Sequence, residues 1–558
     1  MAEHRMARRG GRPKVRRTTP YLLPRRTPMS AALALAFVSL STGTVGRAIA
    51  GPTGGQVTAG AATIQQPNAQ TTLIHQTTPR AAIDWTRFSI GARESVVFKQ
   101  PSSSAVALNR VTGGDASLIY GSLTANGHVF LVNPNGVTFG RGASVDVGSL
   151  VASTLSISNA DFMSGRYLFS GGAGAGRVVN EGAIRAADGG YVAFIGNQVS
   201  NSGTIVANRG SVALGAGDSV LLDFAGDGLL SLKVNTAAAG ARIDHGGLIQ
   251  ADGGQVVLSA RAKTALASTA MNVDGIIAAR GLLERDGKIV LDGGAGVTQV
   301  SGTLDASSAQ AKGGDIRVLG EYVGLFGDAK LDASGARGGG TVLVGGDFQG
   351  RNPDVSNAFR TYVGPNASIR ADATASGDGG KVIVWSDDTT RFFGSISARG
   401  GAIAGDGGLV EASGKGLLVF RGTADVSAAA GRAGTVLLDP DNIVIAAAGG
   451  GNAGDNVLVA DGTLAFAEGA GTSTIDENTL EALTGNIVLQ ATQDITNNAV
   501  LDLNNQTAGE RVVMQAGRHV TIDGAIRTSG AAIVLEADSP HSSAGAADGT
   551  GTLTINSN

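Results

Sequence analysis

The chain has 558 residues, with 86 glycines, no cysteine, 4% aromatic and 42% hydrophobic residues. That excludes a disulfide-stapled scaffold and a disordered polymer, and it points to short strands with tight turns, held by a large regular hydrogen-bonded lattice. The net charge of −3 hides an asymmetry: residues 1–50 hold ten Lys/Arg and one acid, leaving 33 basic and 45 acidic residues in 51–558, and so acidic a body argues against nucleic acid or an anionic membrane surface as partner.

Residues 1–50 predict a signal peptide. A basic n-region runs from Arg5 to Arg26, Ala31 to Leu40 is apolar, and Ala48-Ile49-Ala50 is a small-residue cleavage site at Ala48 and Ala50. The apolar stretch falls short of the roughly 20 residues of a membrane span. No arginine pair has a convincing twin-arginine context, so the general export machinery is the expected first partner.

From Gly51 the chain alternates short apolar segments with polar turns. Thr72 to Gln76 and Ser95 to Phe98 read as strands. Trp85 and Phe88 are predicted core residues that plug the first rung of a sheet stack, whose open edge would otherwise recruit other chains. Next, Val129 to Val132 is a strand, Asn133-Pro134-Asn135-Gly136 a tight turn and Val137 to Phe139 a strand. Pro134 presets the second position of a type I turn, Asn135 suits the third and Gly136 the fourth.

Five motifs in order carry a family resemblance. They are Ile83-Asp84-Trp85 with Phe88-Ser89-Ile90, Val97-Phe98-Lys99-Gln100-Pro101, Ala107-Leu108-Asn109-Arg110-Val111, the Asn133 to Gly136 turn, and Leu150 to Leu155. Over roughly residues 51 to 170 the chain resembles the N-terminal secretion domain, or haemagglutination activity domain, of filamentous-haemagglutinin-like exoproteins. It lacks the upstream Asn-Pro-Asn-Leu element of many members. The resemblance implies two-partner secretion from a Gram-negative cell through an outer-membrane transporter with POTRA domains. It also implies that Asn133, Pro134, Asn135 and Gly136 shape the fold nucleus or the transporter contact.

After residue 170 a unit repeats: Gly-x-(Ile/Leu/Val)-x-Ala, a turn often containing Gly-Gly, then x-(Val/Ile)-x-(Leu/Val). Gly182-Ala183-Ile184 leads to Tyr191-Val192-Ala193-Phe194, and copies centred on Ile205 and Ile249 follow. Further copies centre on Leu304, Leu331, Ile369, Ile396, Val426 and Ile526. A period in the twenties is one coil of a solenoid. The expected fold is all-β, a parallel β-helix behind an N-terminal β cap, right-handed by resemblance and by the crossover rule. A leucine-rich repeat fits less well, for want of an asparagine ladder and dense leucines. Four segments follow: leader 1–50, secretion domain 51–170, β-helix repeats 171–438, and an irregular continuation 439–558. In the last, Thr474 to Thr484 is a candidate short helix on the flank, strands resume at Asn486 and Val512, and no polar cap follows Asn556, as expected of a shortened or fragmentary member.

Chemistry-bearing patterns are sparse. Asp387-Asp388 is the one adjacent aspartate pair, and a solvated turn accounts for it; a glycosidase needs two carboxylates about 5 to 10 Å apart. His4, His75, His128, His245, His519 and His541 lack ligand spacing. Gly450 to Val457 mimics a calcium-binding nonapeptide once, with Ala453 where glycine is required, whereas calcium rolls need tandem copies. No catalytic residue, cofactor or metal is implied. The expected function is a secreted adhesive exoprotein whose rod binds a surface receptor or glycan. The alternatives are a β-helical carbohydrate-active enzyme and an autotransporter-like passenger or a fragment of a larger exoprotein; a passenger needs a C-terminal barrel, for which residues 439–558 are too short and too broken.

Overall fold

The computed structural model describes residues 51–171, 176–224, 229–263, 269–283, 285–449, 472–540 and 548–556. The leader expected over residues 1–50, with the cleavage site expected at Ala48 and Ala50, the calcium-like Gly450 to Val457 stretch, His4 and His541 lie outside them. Ala50–Asn558 is one compact unit, and it is a parallel β-helix with three faces. One coil runs through Tyr191–Gly196 on the first face, Gln198–Asn201 on the second and Thr204–Val206 on the third. Among the described residues the corresponding sheets have 17, 11 and 14 strands. Coils stack parallel and in register: Phe194 pairs with Leu214, then Leu258, then Leu291. Each strand therefore finds its backbone partners in the coils before and after it.

The inward column of the third face runs from Val145 through Ile184, Ile205 and Ile249 to Ile277, Leu304, Leu331, Ile369 and Ile396. The next member is Ala424, which corrects the repeat centre expected at Val426. Val426 is also fully buried and takes the place two residues on that alanine fills in earlier coils, so small and large side chains have exchanged places at similar total volume. Ile526 stands apart from the column and pairs with Leu501 in a two-stranded sheet.

Two rows of glycine mark the corners, because backbone there passes too close to the neighbouring coil for a side chain. A methyl carbon on Gly247 would lie 2.1 Å from the Gly203 carbonyl oxygen, and one on Gly254 would lie 2.0 Å from that of Gly210. Those carbonyls accept from Leu248 N and Gln255 N, so the same approach that demands glycine also makes the inter-coil bond.

Three departures from regular coils position the candidate site. At the amino end, Gln56–Ala59 pairs antiparallel with Arg80–Trp85, and Ala62–Asn68 pairs antiparallel with Thr71–Gln76, closing two faces. On the outside of the first face lies a second apolar layer. The antiparallel strands Tyr167–Ser170, Ser219–Phe224 and Leu230–Thr236, with the helix Asn159–Ser164, cover Leu108, Phe130, Val151, Ala193 and Ala213. Tyr191–Gly196 and Ser211–Ala216 are buried on both sides for this reason and do not alternate.

Beyond Leu438 the order of strands changes: Ser473–Asp476 pairs with the earlier Ile443–Ala446 on the side away from Ile495–Asn497. The helix expected at 474–484 is shorter, Glu477–Glu481, because strand takes its first residues. Its Leu480 joins the interior, so the helix is part of the wall and not an appendage on the flank. A short asparagine stack is present after all. Asn180 donates to Asn201 at 2.7 Å, and Asn201 donates to Nδ1 of the buried His245, whose Nε2 faces the Ile276 carbonyl. Burial pushes the His245 pKa down, keeping it neutral and able to accept.

Candidate functional site

The motif residues meet in the first coils. Trp85, on the first face, is fully buried and stands edge-on to Phe88 at 5.5 Å. Its indole Nε1 donates to Asn109 Oδ1 at 3.0 Å. Asn109 sits one coil on, between Ile83 and Leu131 in the inward column, and its amide donates to the Phe130 and Ala107 carbonyls. A polar group enclosed by hydrocarbon is thereby satisfied. Phe98 fills the same interior from the third face.

Asn133 links three coils. Its backbone N–H donates to Ser153 O in the following coil, and its side-chain amide donates to Asp115 O and Ser117 Oγ in the preceding one, both at 3.0 Å. Its Oδ1 accepts from Asn135 N, and its carbonyl accepts from Gly136 N at 3.0 Å, the bond expected of a tight turn. Asn135 reaches Gly113 O at 2.9 Å. Asn133 is wholly buried, Pro134 half-buried and Asn135 exposed. Gly136 has φ +119°, a region where a side chain is strained. The turn is a corner: His128–Val132 belongs to the first face and Val137–Phe139 to the second.

Arg110 clasps the outer layer to this nucleus. It pairs with Asp84 at 3.2 Å, and its Nη2 donates to Ile157 O and Asn159 Oδ1 at the start of the helix. Arg80 does the same at the helix end. Its Nη1 donates to Phe162 O and Tyr167 Oη, while the guanidinium lies over both rings. Phe130 packs against Phe162, Tyr167 and Phe169 at centroid distances of 5.8, 5.0 and 6.3 Å. His128 meets Tyr191 Oη at 3.1 Å, and burial, then the Arg80 charge, push its pKa down.

Arg80, Phe162 and Tyr167 were not singled out from sequence. Two signals pointed to them: Ser158 three residues before Asp161 with Gly165 closing the helix, and apolar runs at Tyr191 and Ser211 that fail to alternate.

The acids follow a different pattern. Asp387 accepts from Trp385 Nε1 and Asn357 Nδ2, and Asp388 pairs with Arg360 at 2.6 Å, so both are committed to holding loops. The acids that do cluster are Asp347, Glu411 and Asp439, all nearly or fully buried beneath the loop at Gln349. Gln349 N donates to Glu411, and its side chain reaches Asp439 Oδ2 at 3.4 Å. Burial first, then the neighbouring carboxylates, push the Glu411 pKa up to about 8. Among the described residues no group of three or more His, Cys, Asp or Glu is placed to hold a metal ion.

With this geometry in hand, the comparisons are specific. Residues 48–306 match the family model described as TPS secretion domain. A heme/hemopexin-binding protein of Haemophilus influenzae is 33% identical over 249 residues, which is 43% of this chain and 27% of that protein. A second heme/hemopexin-binding protein of the same species is 45% identical over 111 residues, 20% of this chain and 12% of that protein. The matched stretches thus span about a quarter or less of these relatives. The crystal structure of the HMW1 secretion domain from Haemophilus influenzae superposes with a TM-score of 0.61 at 31% identity, covering 70% of this chain and all of that one.

Proposed function

The chain belongs to the two-partner secretion exoproteins, and from that premise we propose that its capped first coils, pinned by Asn133, are the part its outer-membrane transporter engages and the seed on which later coils form. The family is a secretion-domain family and not an enzyme family. The observation that carries the proposal is that one buried side chain, Asn133, joins the coils before and after it beside a closed amino end. A chain that emerges amino end first can complete this nucleus before any later coil is present, and each later coil then adds onto a formed edge. The basic leader and Ala48-Ile49-Ala50 suit delivery to the periplasm by the general export machinery. POTRA domains of the transporter are the proposed first contact, and the cell surface or medium the destination.

At that destination we propose an adhesive role, in which repeated outward surfaces make weak contacts that sum by multivalency. Secretion tests the first proposal. Asn133→Ala and Gly136→Ala variants, expressed with the cognate transporter, are expected to accumulate in the periplasm, while Ile403→Ser at a 75% exposed side chain far along the chain is expected outside at the normal level. If both turn variants appear outside as efficiently as the parent, the role given to this turn is wrong.

A further inference from the structure

Between the turns that follow the third face and the outer edge of the first face runs an open groove of about 1590 Å³. Its outer wall is ordered, because successive turns pair with one another: Ser308 with Gly335, Gly335 with Ala373, and Gly400 with Ala428. Its floor is the glycine corner, through Gly340, Gly380, Gly408 and Gly434. It extends over seven successive coils, from Lys312 to Arg511, or roughly 30 Å at the spacing of stacked strands.

The charge of this groove opposes that of the body around it. Lys312, Arg337, Arg432 and Arg511 line it and are exposed. Of its carboxylates, Asp406 is taken by Arg432 at 2.6 Å and Glu510 accepts from the Thr507 backbone. Lys381 is paired with Asp347 at 2.7 Å. Among the described residues no ion pair forms on Lys312, Arg337 or Arg511, which leaves three cations without a salt bridge against the carboxylates of Asp378 and Glu510. Between them stand the hydroxyl groups of Thr341, Ser427 and Thr435.

We propose that this groove binds a linear anionic polysaccharide, laid along the coils with its carboxylate or sulfate groups on Lys312, Arg337 and Arg511. It deepens the adhesive reading above and rests on it for the setting. Three features choose this polymer over others. The floor strands already bond on both edges to neighbouring coils, so an extended peptide finds no edge to join. Among the described residues no aromatic side chain lines the groove, so single-stranded nucleic acid finds no stacking platform. A polyhydroxylated acidic chain, in contrast, uses the cations and hydroxyls that are present.

The test is binding of purified full-length protein to alginate (a polyuronate), dextran sulfate, neutral dextran, polyglutamate and single-stranded DNA. Alginate, dextran sulfate or both are expected to bind, dextran is not, and added salt is expected to weaken the complex. The triple variant Lys312→Ser/Arg337→Ser/Arg511→Ser is expected to bind about tenfold more weakly, three exposed charge contacts being lost. Arg185→Ser/Lys330→Ser, at exposed cations of the third face, is expected to bind as the parent does. Ser427→Trp, which fills the groove without changing charge, is expected to weaken binding as well.

Three results overturn the proposal: no binding of either acidic polysaccharide by the parent; an equal loss in the third-face variant; or tighter, groove-dependent binding of polyglutamate or DNA. Attachment of whole cells is scored separately, so an adhesive reading that fails leaves the groove result standing, and the converse.

Discussion

Adjacent glycines at one corner make opposite predictions. A methyl group on Gly247 would meet the Gly203 oxygen at 2.1 Å and the Ser202 carbonyl carbon at 2.7 Å, whereas one on Gly246 meets nothing within 4 Å. Ordinary van der Waals contact begins at 3.4 Å, so Gly247→Ala forces the two coils more than 1 Å apart at that point. The bonds at risk are Leu248 N to Gly203 O and Ile276 N to Gly247 O, both 2.9 Å. Losing one or two buried backbone bonds at about 1–3 kcal/mol each, plus packing strain, gives a cost of about 3–5 kcal/mol. Gly246→Ala leaves these bonds alone and restricts the unfolded chain, for an expected gain of about 0.4–1 kcal/mol. Urea unfolding followed by far-ultraviolet circular dichroism measures the difference. Amide exchange at Leu248 and Ile276 localises it, which matters because long repeat arrays lose two-state behaviour. If the two variants unfold at the same urea concentration, close coil approach is not what reserves these positions for glycine.

Other perturbations are equally specific. Glu411 ionises near 4.5 when unfolded but near 8 in the fold, so the folded chain holds a proton that the unfolded chain has lost, and stability falls as pH rises across that window. The fall is at most about 5 kcal/mol at roughly 1.4 kcal/mol per unit, and Glu411→Gln is expected to flatten it; identical pH profiles of melting temperature for parent and variant would refute this. Trp85→Phe keeps the plug but leaves Asn109 Oδ1 without its indole donor, at a cost of about 1–3 kcal/mol by urea unfolding. Phe162→Ala is expected to cost about 3–5 kcal/mol and to raise protease sensitivity in the strands of the outer layer, leaving distant coils protected.

Much of the fold was legible from residue order because its determinants are local. Alternation within four or five residues sends Ile184, Ile205 and Ile249 inward, and pairing in the structure aligns all three. The Asn133 to Gly136 turn is likewise written in consecutive residues, and the burial of Trp85 and Phe88 follows from their apolar side chains. The repeat centre at Val426 misled because the small residue of that coil, Ala424, stands where the pattern sets a large one, and only stacking on Ile396 shows which position is which.

The sequence by itself determined the coil and its inward side, since both depend on residues within one turn of the solenoid, and its family, which five motifs in order carry. Tertiary structure alone decided what lies across coils: the clasp of Arg80 on Phe162, 82 residues away, the acids gathered around Gln349, and the row of cations from Lys312 to Arg511. These turn on register between coils whose connecting loops vary in length, and register is set by the summed burial of the whole stack, which no single stretch of chain encodes.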